Sequence, residues 1–380
     1  MTNNKDKDKK ETPSALHVMQ GVEGGHDGLP GQTPRNQAAR PRNNQKSLSV
    51  EEYVKGILER DRTLLGRAIT LIESNVPDHQ ERAQEVLRAL LPHTGKSIRI
   101  GITGVPGAGK STFIETFGNR LTENGHRVAV LAVDPSSSVT RGSILGDKTR
   151  MEKLSRDPRA FIRPSPSGGT LGGVARKTRE TMLIFEAAGF DVLLVETVGV
   201  GQSEITVRSM VDFFLLVLIA GAGDELQGLK KGVIEIADAI LINKADGSGR
   251  QAALTTRAEY ERALHYLQPA TRGWTTGAYA VSALTGDGID DIWNEIEKFR
   301  AVTTGNDSFQ NRRREQTRDW LHSMVEERLR STFYRSAAIR EMLPGIERDV
   351  MDGTVPATRA AWELLHKFER QLKNRDSSTD

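Results

Sequence analysis

The 380-residue sequence has no cysteine, few aromatic residues (5%) and no long apolar run. Without cysteine there can be no disulfide framework, no thiolate-held zinc or iron–sulfur cluster and no cysteine nucleophile. The longest apolar stretch, from Phe213 to Ala220, has the length of a strand and falls well short of the roughly 18 residues of a membrane span. The first residues are polar, which argues against a signal peptide. These features predict a cytoplasmic protein.

The net charge of +3 comes from the N-terminus. Residues 1–46 carry eight Lys or Arg against five acidic residues, so the remainder of the chain is neutral. A neutral folded part argues against a broad nucleic-acid footprint. The same 46 residues are rich in Asn, Gln, Gly and Pro and poor in aliphatic side chains, so we expect a disordered tail.

Three segments follow this tail. Residues 47–96 show apolar side chains at helical spacing, with a capping box at Ser49 and Glu52, a first helix through about Ile72 and a second from Pro77. Residues 97–305 alternate short β-branched runs with amphipathic stretches, which predicts an α/β domain with a mostly parallel sheet flanked by helices. Residues 306–380 are helical again. The predicted strands are Ile98–Thr103, Arg127–Val133, Phe161–Arg163, Val192–Glu196, Phe213–Ile219, Ala239–Asn243 and Tyr279–Ser282.

The C-terminal helical segment carries two apolar stripes. One runs from Trp320 to Phe333 and the other from Ala360 to Leu372. Each stripe must be covered, and two coverings are open: the protein's own domain or an oligomer interface.

The first predicted strand leads into a glycine-rich loop that matches G-x-x-x-x-G-K-[ST]. The glycines let backbone N–H groups surround phosphate oxygens, and the helix that starts near Lys110 directs its positive dipole end toward the same anion. We expect Lys110 to bridge the β- and γ-phosphates and the Ser111 hydroxyl to ligate Mg²⁺. The predicted phosphate-binding residues are Gly104, Val105, Pro106, Gly107, Ala108, Gly109, Lys110, Ser111 and Thr112.

An N-K-x-D string ends at Asp246, directly after a buried strand. The Asp246 carboxylate can accept both N1–H and the exocyclic amino group of guanine, a donor pair that adenine lacks. The string therefore predicts GTP and GDP as substrate and product. The other predicted base-site residues are Asn243, Lys244, Ser282, Ala283 and Leu284.

Acidic residues after strands complete the predicted site. The carboxylate of Glu196 can hold Mg²⁺ through water, while the N–H of Gly199 can approach the γ-phosphate. Asp134 and Asp147 flank a Ser/Gly-rich segment and either complete the magnesium shell or cap a helix. A later glycine-rich loop carries Lys230, which either moves toward the phosphates or stays a solvated charge. The predicted metal ligands are Ser111, Asp134, Asp147 and Glu196, and the predicted catalytic residues are Lys110, Glu196, Lys230 and Asp134.

Longer strings carry a family resemblance, among them G-V-P-G-A-G-K-S-T, V-E-T-V-G-V-G-Q-S-E and G-D-E-L-Q-G-L-K-K-G. From about Ser49 to Leu372 the sequence resembles the MeaB (ArgK) GTPases, bacterial relatives of the human methylmalonic-aciduria type A protein. The resemblance implies a P-loop G domain of the metal-chaperone and signal-recognition (SIMIBI) type, a homodimer with a C-terminal dimerisation arm, and Lys230 in a third switch. The sequence departs from the family at Ser138 and Arg141, where proline and glycine are common.

The resemblance also implies a function and a partner. MeaB-like proteins are GTP-hydrolysing chaperones that gate adenosylcobalamin loading into, and protect, methylmalonyl-CoA mutase or a related acyl-CoA mutase. Because Val200, not glutamine, follows Gly199, we expect slow hydrolysis unless the mutase stimulates it. Two other functions stay open: a small-molecule or protein kinase, for which no acceptor site with a general base is evident, and a metallochaperone GTPase, which the lack of cysteine and of a His-rich tract disfavours.

Overall fold

The computed structural model describes residues 48–133, 151–164, 171–197, 203–221 and 231–376. All of them belong to the unit that begins at Leu48. Its helices are α1 (Val50–Leu58), α2 (Arg62–Glu73), α3 (Pro77–Leu90), α4 (Lys110–Glu123), α5 (Glu152–Arg156), α6 (Leu171–Ala187), α7 (Ser203–Arg208), α8 (Lys231–Glu235), α9 (Arg250–Leu264), α10 (Ile289–Gly305), α11 (Ser308–Arg335), α12 (Ala337–Met351) and α13 (Ala357–Asp376). No helix in these ranges is long and apolar enough to cross a membrane.

Seven parallel strands form one sheet in the order β3-β2-β4-β1-β5-β6-β7. The strands are β1 (Ile98–Gly104), β2 (Val128–Val133), β3 (Ala160–Arg163), β4 (Val192–Thr197), β5 (Phe213–Ile219), β6 (Ala239–Asn243) and β7 (Gly277–Ala280). The central strands are buried almost throughout because helices cover both faces. This confirms the predicted α/β class. The carboxyl ends of the strands share one edge, where sheets of this kind bind ligands.

The predicted first helix and last strand were wrong, and strands β1 to β4 each differ from the prediction by one residue at one end. The first helical stretch is two helices, because Arg60 adopts a left-handed φ of 66° and Asp61 caps α2 through the N–H groups of Thr63 and Leu64. The last strand ends at Ala280, not at Ser282, because the Ser282 N–H donates to Asp287 O and turns the chain out of the sheet. The capping box at α1 is confirmed, with reciprocal hydrogen bonds between Ser49 and Glu52.

The two apolar stripes of the C-terminal helices are covered differently. In α13, Ala360 and Leu364 are buried, and Phe368 contacts Phe333 with 5.2 Å between ring centroids. In α11 the Arg179 guanidinium covers the Trp320 ring, with 5.5 Å between the guanidinium carbon and the ring centroid. The next α11 stripe residues stay exposed: Leu321, Val325 and Leu329, at 60%, 49% and 63%. The second stripe is therefore covered in part by its own chain, with Leu365 and Leu372 still 51% and 42% exposed, and the first stripe is also covered only in part.

A buried carboxylate holds the strand edge opposite the loop that precedes α4. The side chain of Glu186 is fully buried and accepts hydrogen bonds from Gly95 N (2.7 Å), Ser97 Oγ (2.5 Å) and Arg99 Nε (2.8 Å). Burial acts to raise the pKa of Glu186, but the charge of Arg99 and these hydrogen bonds outweigh it and lower the pKa below its ordinary value of 4.5. The group therefore stabilises the fold in its ionised form.

Replacing Glu186 by glutamine is expected to lower the free energy of unfolding at neutral pH by about 3 kcal/mol, because Arg99 loses its charge partner. Since the folded pKa is depressed, this stabilisation is present above the unfolded pKa and is lost as pH falls through the folded pKa. The difference between wild type and variant should thus shrink below about pH 4.5 in urea-unfolding curves. The exposed Glu123→Gln serves as control. A difference that is the same at neutral and acidic pH would contradict the assignment.

Candidate functional site

The loop between β1 and α4 has the backbone that its glycines permit. Gly107 and Gly109 have φ angles of 80° and 85°, which favour glycine. A Cβ at Gly104 would lie 2.0 Å from Val217 O of the neighbouring strand β5, so β1 can approach β5 here only without a side chain. The loop lies at the carboxyl edge of the sheet, and α4 begins at Lys110. The strand–loop–helix arrangement expected from the sequence is present.

Lys110 turns back into this loop. Its Nζ donates to Gly104 O (2.9 Å) and Val105 O (3.2 Å), and the residue is only 8% exposed. Burial lowers the pKa of Lys110, and the charges of Glu196 and Glu204 partly oppose this shift. The ammonium group thus donates to two main-chain carbonyls of the loop, and phosphate oxygens could accept the same N–H donors.

Ser111 and Glu196 meet at the start of α4. Strand β4 pairs with β1 so that Glu196 lies beside Ile102, and Ser111 Oγ donates to Glu196 Oε1 at 3.1 Å. A hydroxyl and a carboxylate are the hard oxygen donors that Mg²⁺ prefers, so this pair fits such an ion. Within the described ranges, no group of three or more His, Cys, Asp or Glu side chains is placed to hold a metal.

Asn243 connects the phosphate loop to the loop after β7. Its Nδ2 donates to Ala108 O at 2.7 Å, and its Oδ1 accepts from Ala283 N at 3.0 Å. A Cβ at Gly109 would lie 2.7 Å from the same Nδ2. Asn243 therefore joins two loops that lie far apart in sequence. The next residue, Lys244, has an exposed side chain and a left-handed φ of 61°.

Asp246 lies beside the same junction. Ser282 Oγ donates to Asp246 Oδ2 at 2.5 Å and accepts from Thr285 N at 3.1 Å, which orients the carboxylate. A carboxylate oxygen that accepts one hydrogen bond keeps capacity for another, so both oxygens can take part in recognising a base. Ser282 and Ala283 are buried, whereas Leu284 is 80% exposed. The three residues predicted to cover the base thus lie in one turn but differ in their exposure to solvent.

Several predicted site residues lie outside the described ranges, so their placement stays a prediction. They are Asp134, Asp147, Gly199 and Lys230, together with the family departures Ser138 and Arg141.

Glu204 is a site residue that the sequence analysis did not single out. It is 5% exposed, lies in the first turn of α7, and is close enough for its charge to raise the pKa of Lys110. The structure alone shows this burial: Glu204 and Val207, three residues apart on α7, are both buried, whereas the apolar side chain of Ile205 is 67% exposed.

Comparison with known proteins gives concordant matches. A family model described as methylmalonyl Co-A mutase-associated GTPase MeaB matches residues 65–338, a range that includes every described residue of the site. The chain is 55% identical over 322 residues to a Caulobacter vibrioides protein named as a GTPase, which covers 85% of this chain and 98% of that protein. It is 49% identical over 279 residues to GTPase ArgK of Escherichia coli, covering 73% and 84%.

A mammalian relative and a solved structure agree with these matches. The mouse mitochondrial methylmalonic aciduria type A homolog is 44% identical over 330 residues, covering 84% of this chain and 80% of that protein. The crystal structure of an LAO/AO transport system kinase superposes with a TM-score of 0.69 at 38% identity, covering 84% and 97%. The similarity therefore extends over the sheet, the phosphate loop and much of the flanking helical segments.

Proposed function

Because the chain belongs to the methylmalonyl Co-A mutase-associated GTPase (MeaB) family, we propose that it couples GTP hydrolysis to adenosylcobalamin loading into, and protection of, an acyl-CoA mutase. The client is methylmalonyl-CoA mutase or a close relative such as isobutyryl- or hydroxyisobutyryl-CoA mutase. The observation that carries the nucleotide assignment is the junction at Asn243, which bonds to Ala108 O and Ala283 N. It joins a phosphate-binding loop to the loop beside Asp246, so one guanine nucleotide can reach both.

In this proposal the loop from Gly104 to Thr112 surrounds the phosphates with main-chain N–H groups. The Lys110 ammonium exchanges its bonds to Gly104 O and Val105 O for bonds to phosphate oxygens. Asp246 accepts the two guanine N–H donors in the orientation that Ser282 imposes. These roles account for a triphosphate substrate and for its guanine base.

Ser111 and Glu196 are the described residues that would hold Mg²⁺, and we assign Asp134 and Asp147 to the same shell. When bound there, the ion neutralises charge on the β- and γ-phosphates. Ser111 Oγ, which donates to Glu196 at 3.1 Å, would turn a lone pair toward the ion while Glu196 keeps its place at the end of β4. Gly199 N–H and Lys230 are proposed to contact the γ-phosphate, with Lys230 assisting hydrolysis.

We also propose that the protein is a homodimer. The apolar stripe of α11 at Leu321, Val325 and Leu329 is exposed to solvent. In a symmetric dimer, the same stripe of a second copy would pack against it and bury both. A cytoplasmic location, expected from the sequence, stays a prediction.

The proposal is tested by measuring GTP turnover with and without a purified cognate acyl-CoA mutase. We expect the mutase, in apo or holo form, to raise the rate of GTP hydrolysis severalfold, because the protein alone is expected to hydrolyse GTP slowly. A mutase whose cobalamin-binding domain has been removed is the control. An unchanged rate with a verified cognate mutase would count against the mutase role. Nucleotide consumption that requires a small acceptor and yields a phosphorylated product would favour a kinase instead.

A further inference from the structure

Thr116 connects the helix after the phosphate loop to the loop that carries part of the base site. It lies in α4, in the turn after the one that begins at Lys110, and it is half-buried. Its Oγ1 donates to Ala283 O at 2.6 Å, a contact between residues 167 positions apart in the sequence. We call residues 281–288, between β7 and α10, the base loop. The contact therefore joins α4 to the base loop.

Ala283 is held at both of its main-chain polar groups. Its N–H donates to Asn243 Oδ1 at 3.0 Å, and its C=O accepts from Thr116. Asn243 in turn donates to Ala108 O of the phosphate loop at 2.7 Å. Because the phosphate loop continues into α4, these three bonds and the chain from Ala108 to Thr116 form a closed circuit. Two routes, one through β6 and one through α4, thus fix the base loop relative to the phosphate loop.

The position of Ala283 affects the carboxylate of Asp246. Ser282, the preceding residue, donates from Oγ to Asp246 Oδ2 at 2.5 Å. Ser282 and Ala283 are 0% and 3% exposed, so close packing leaves this turn little room to shift while its contacts are intact. A displacement of Ala283 would carry Ser282 with it, because a rigid peptide bond joins them. Thr116 therefore acts on Asp246 through two residues of the base loop.

Of the two hydrogen bonds at Ala283, the one from Thr116 is the more accessible to solvent. The bond from Ala283 N to Asn243 is buried, whereas the bond from Thr116 Oγ1 is only partly buried. Nearby, Arg120 of α4 forms an ion pair with Asp290 at 3.1 Å, but Asp290 lies in α10, beyond the base loop. Both side chains of that pair are exposed, and such pairs contribute little. We therefore assign the larger effect on the base loop to Thr116.

We propose that Thr116 is a positioning residue of the base site, whose hydroxyl holds the base loop against α4 and thereby slows the dissociation of a guanine nucleotide. Without this bond the base loop keeps its contact with Asn243 but loses its second fixed point, so Asp246 departs more readily from the orientation that recognises the base. Lys110 and Ser111 lie in the first turn of α4 and keep their places. This inference rests on the proposed guanine-nucleotide site and adds a residue that controls how long the nucleotide stays bound.

The test compares ligands that reach the base loop with one that does not, on the full chain with Mg²⁺. In Thr116→Val, which keeps the branched shape and removes the hydroxyl, we expect GDP and a non-hydrolysable GTP analogue to dissociate about five- to tenfold faster. The inhibition constant of inorganic pyrophosphate, which can reach only the phosphate loop, should stay at its wild-type value. Stopped-flow chase of ribose-labelled nucleotides measures dissociation, and competition against labelled GDP measures pyrophosphate binding.

Three further variants separate the hydroxyl from the packing around it. Thr116→Ser keeps the hydroxyl and should release GDP at the wild-type rate. Thr70→Val makes the valine change at an exposed threonine of α2, whose hydroxyl bonds Gly66 O of its own helix at 2.9 Å, and it should leave the binding of all three ligands unaffected. Arg120→Gln removes the ion pair to Asp290 and should likewise leave the dissociation rates unchanged.

Three outcomes would overturn this role of Thr116: an unchanged rate of GDP release in Thr116→Val, an equal loss of affinity for GDP and pyrophosphate, or the same acceleration in Arg120→Gln. If Thr116→Val is not stably folded, Thr116→Ala, which has the higher helix propensity, replaces it with the same expectation. A wild type that binds pyrophosphate but neither guanine nucleotide would overturn the proposed function, and this inference with it. A wild type that binds both guanine nucleotides, with release unaffected by the Thr116 variants, would overturn this inference alone.

Discussion

Replacing Lys110 by methionine is expected to lower the single-turnover rate of GTP hydrolysis by about 10²- to 10³-fold, because phosphoryl transfer depends on electrostatic stabilisation of the charge on the transferred group. The ammonium group is buried beside the phosphate loop, where water screens its charge poorly. Methionine matches the length of the lysine stem without its charge, so the helix start is preserved. Release of labelled phosphate from enzyme-bound GTP measures the rate.

The control for this prediction is Lys298→Met, at a lysine whose side chain is 65% exposed and forms an ion pair with Glu295 of its own helix. That variant should hydrolyse GTP at the wild-type rate. If Lys110→Met did so too, with its thermal stability intact, the loop would not be the site of hydrolysis. Lys110 would act in binding alone if the affinities for GDP and GTP fell equally while the rate at which bound GTP is hydrolysed did not change.

Replacing Asp246 by asparagine is expected to weaken GTP binding by roughly 10²- to 10³-fold, because two hydrogen bonds to a charged acceptor are lost or reversed. The asparagine amide can instead donate to the C2 carbonyl of xanthine while its oxygen accepts N1–H. Affinity for xanthosine triphosphate should therefore rise as affinity for GTP falls. Ser282, which bonds Asp246 Oδ2 at 2.5 Å, can bond either atom of the new amide and keep its orientation.

Competition binding with the two nucleotides measures this exchange of specificity. Asp291→Asn, at an exposed acid in the first turn of α10, is the matched control and should bind GTP as the wild type does. If the variant lost affinity for GTP and for xanthosine triphosphate equally, Asp246 would stabilise the loop and would not recognise the base. Unchanged GTP affinity would remove Asp246 from the site.

The sequence predicted best those parts of the site whose conformation depends on residues that are adjacent in the chain. The turn from Gly104 to Lys110 needs left-handed backbone at Gly107 and Gly109, and the sequence carries glycine at both positions. The strands Phe213–Ile219 and Ala239–Asn243 were predicted with their observed bounds, because each is a continuous apolar run that ends at a loop. The predicted end of β7 was wrong because the Ser282 N–H donates to Asp287 O, five residues later, and this contact decides where the strand stops.

The sequence by itself determined the α/β class and the match to the family, because both depend on patterns and strings of adjacent residues. Only the tertiary structure decided the role of Asn243, whose partner Ala108 is 135 positions away, and the burial of Glu204 beside Lys110. It alone also brought Thr116 to Ala283 across 167 positions. Such contacts depend on how the strands are ordered in the sheet and on where the helices pack against it, and no local string specifies either.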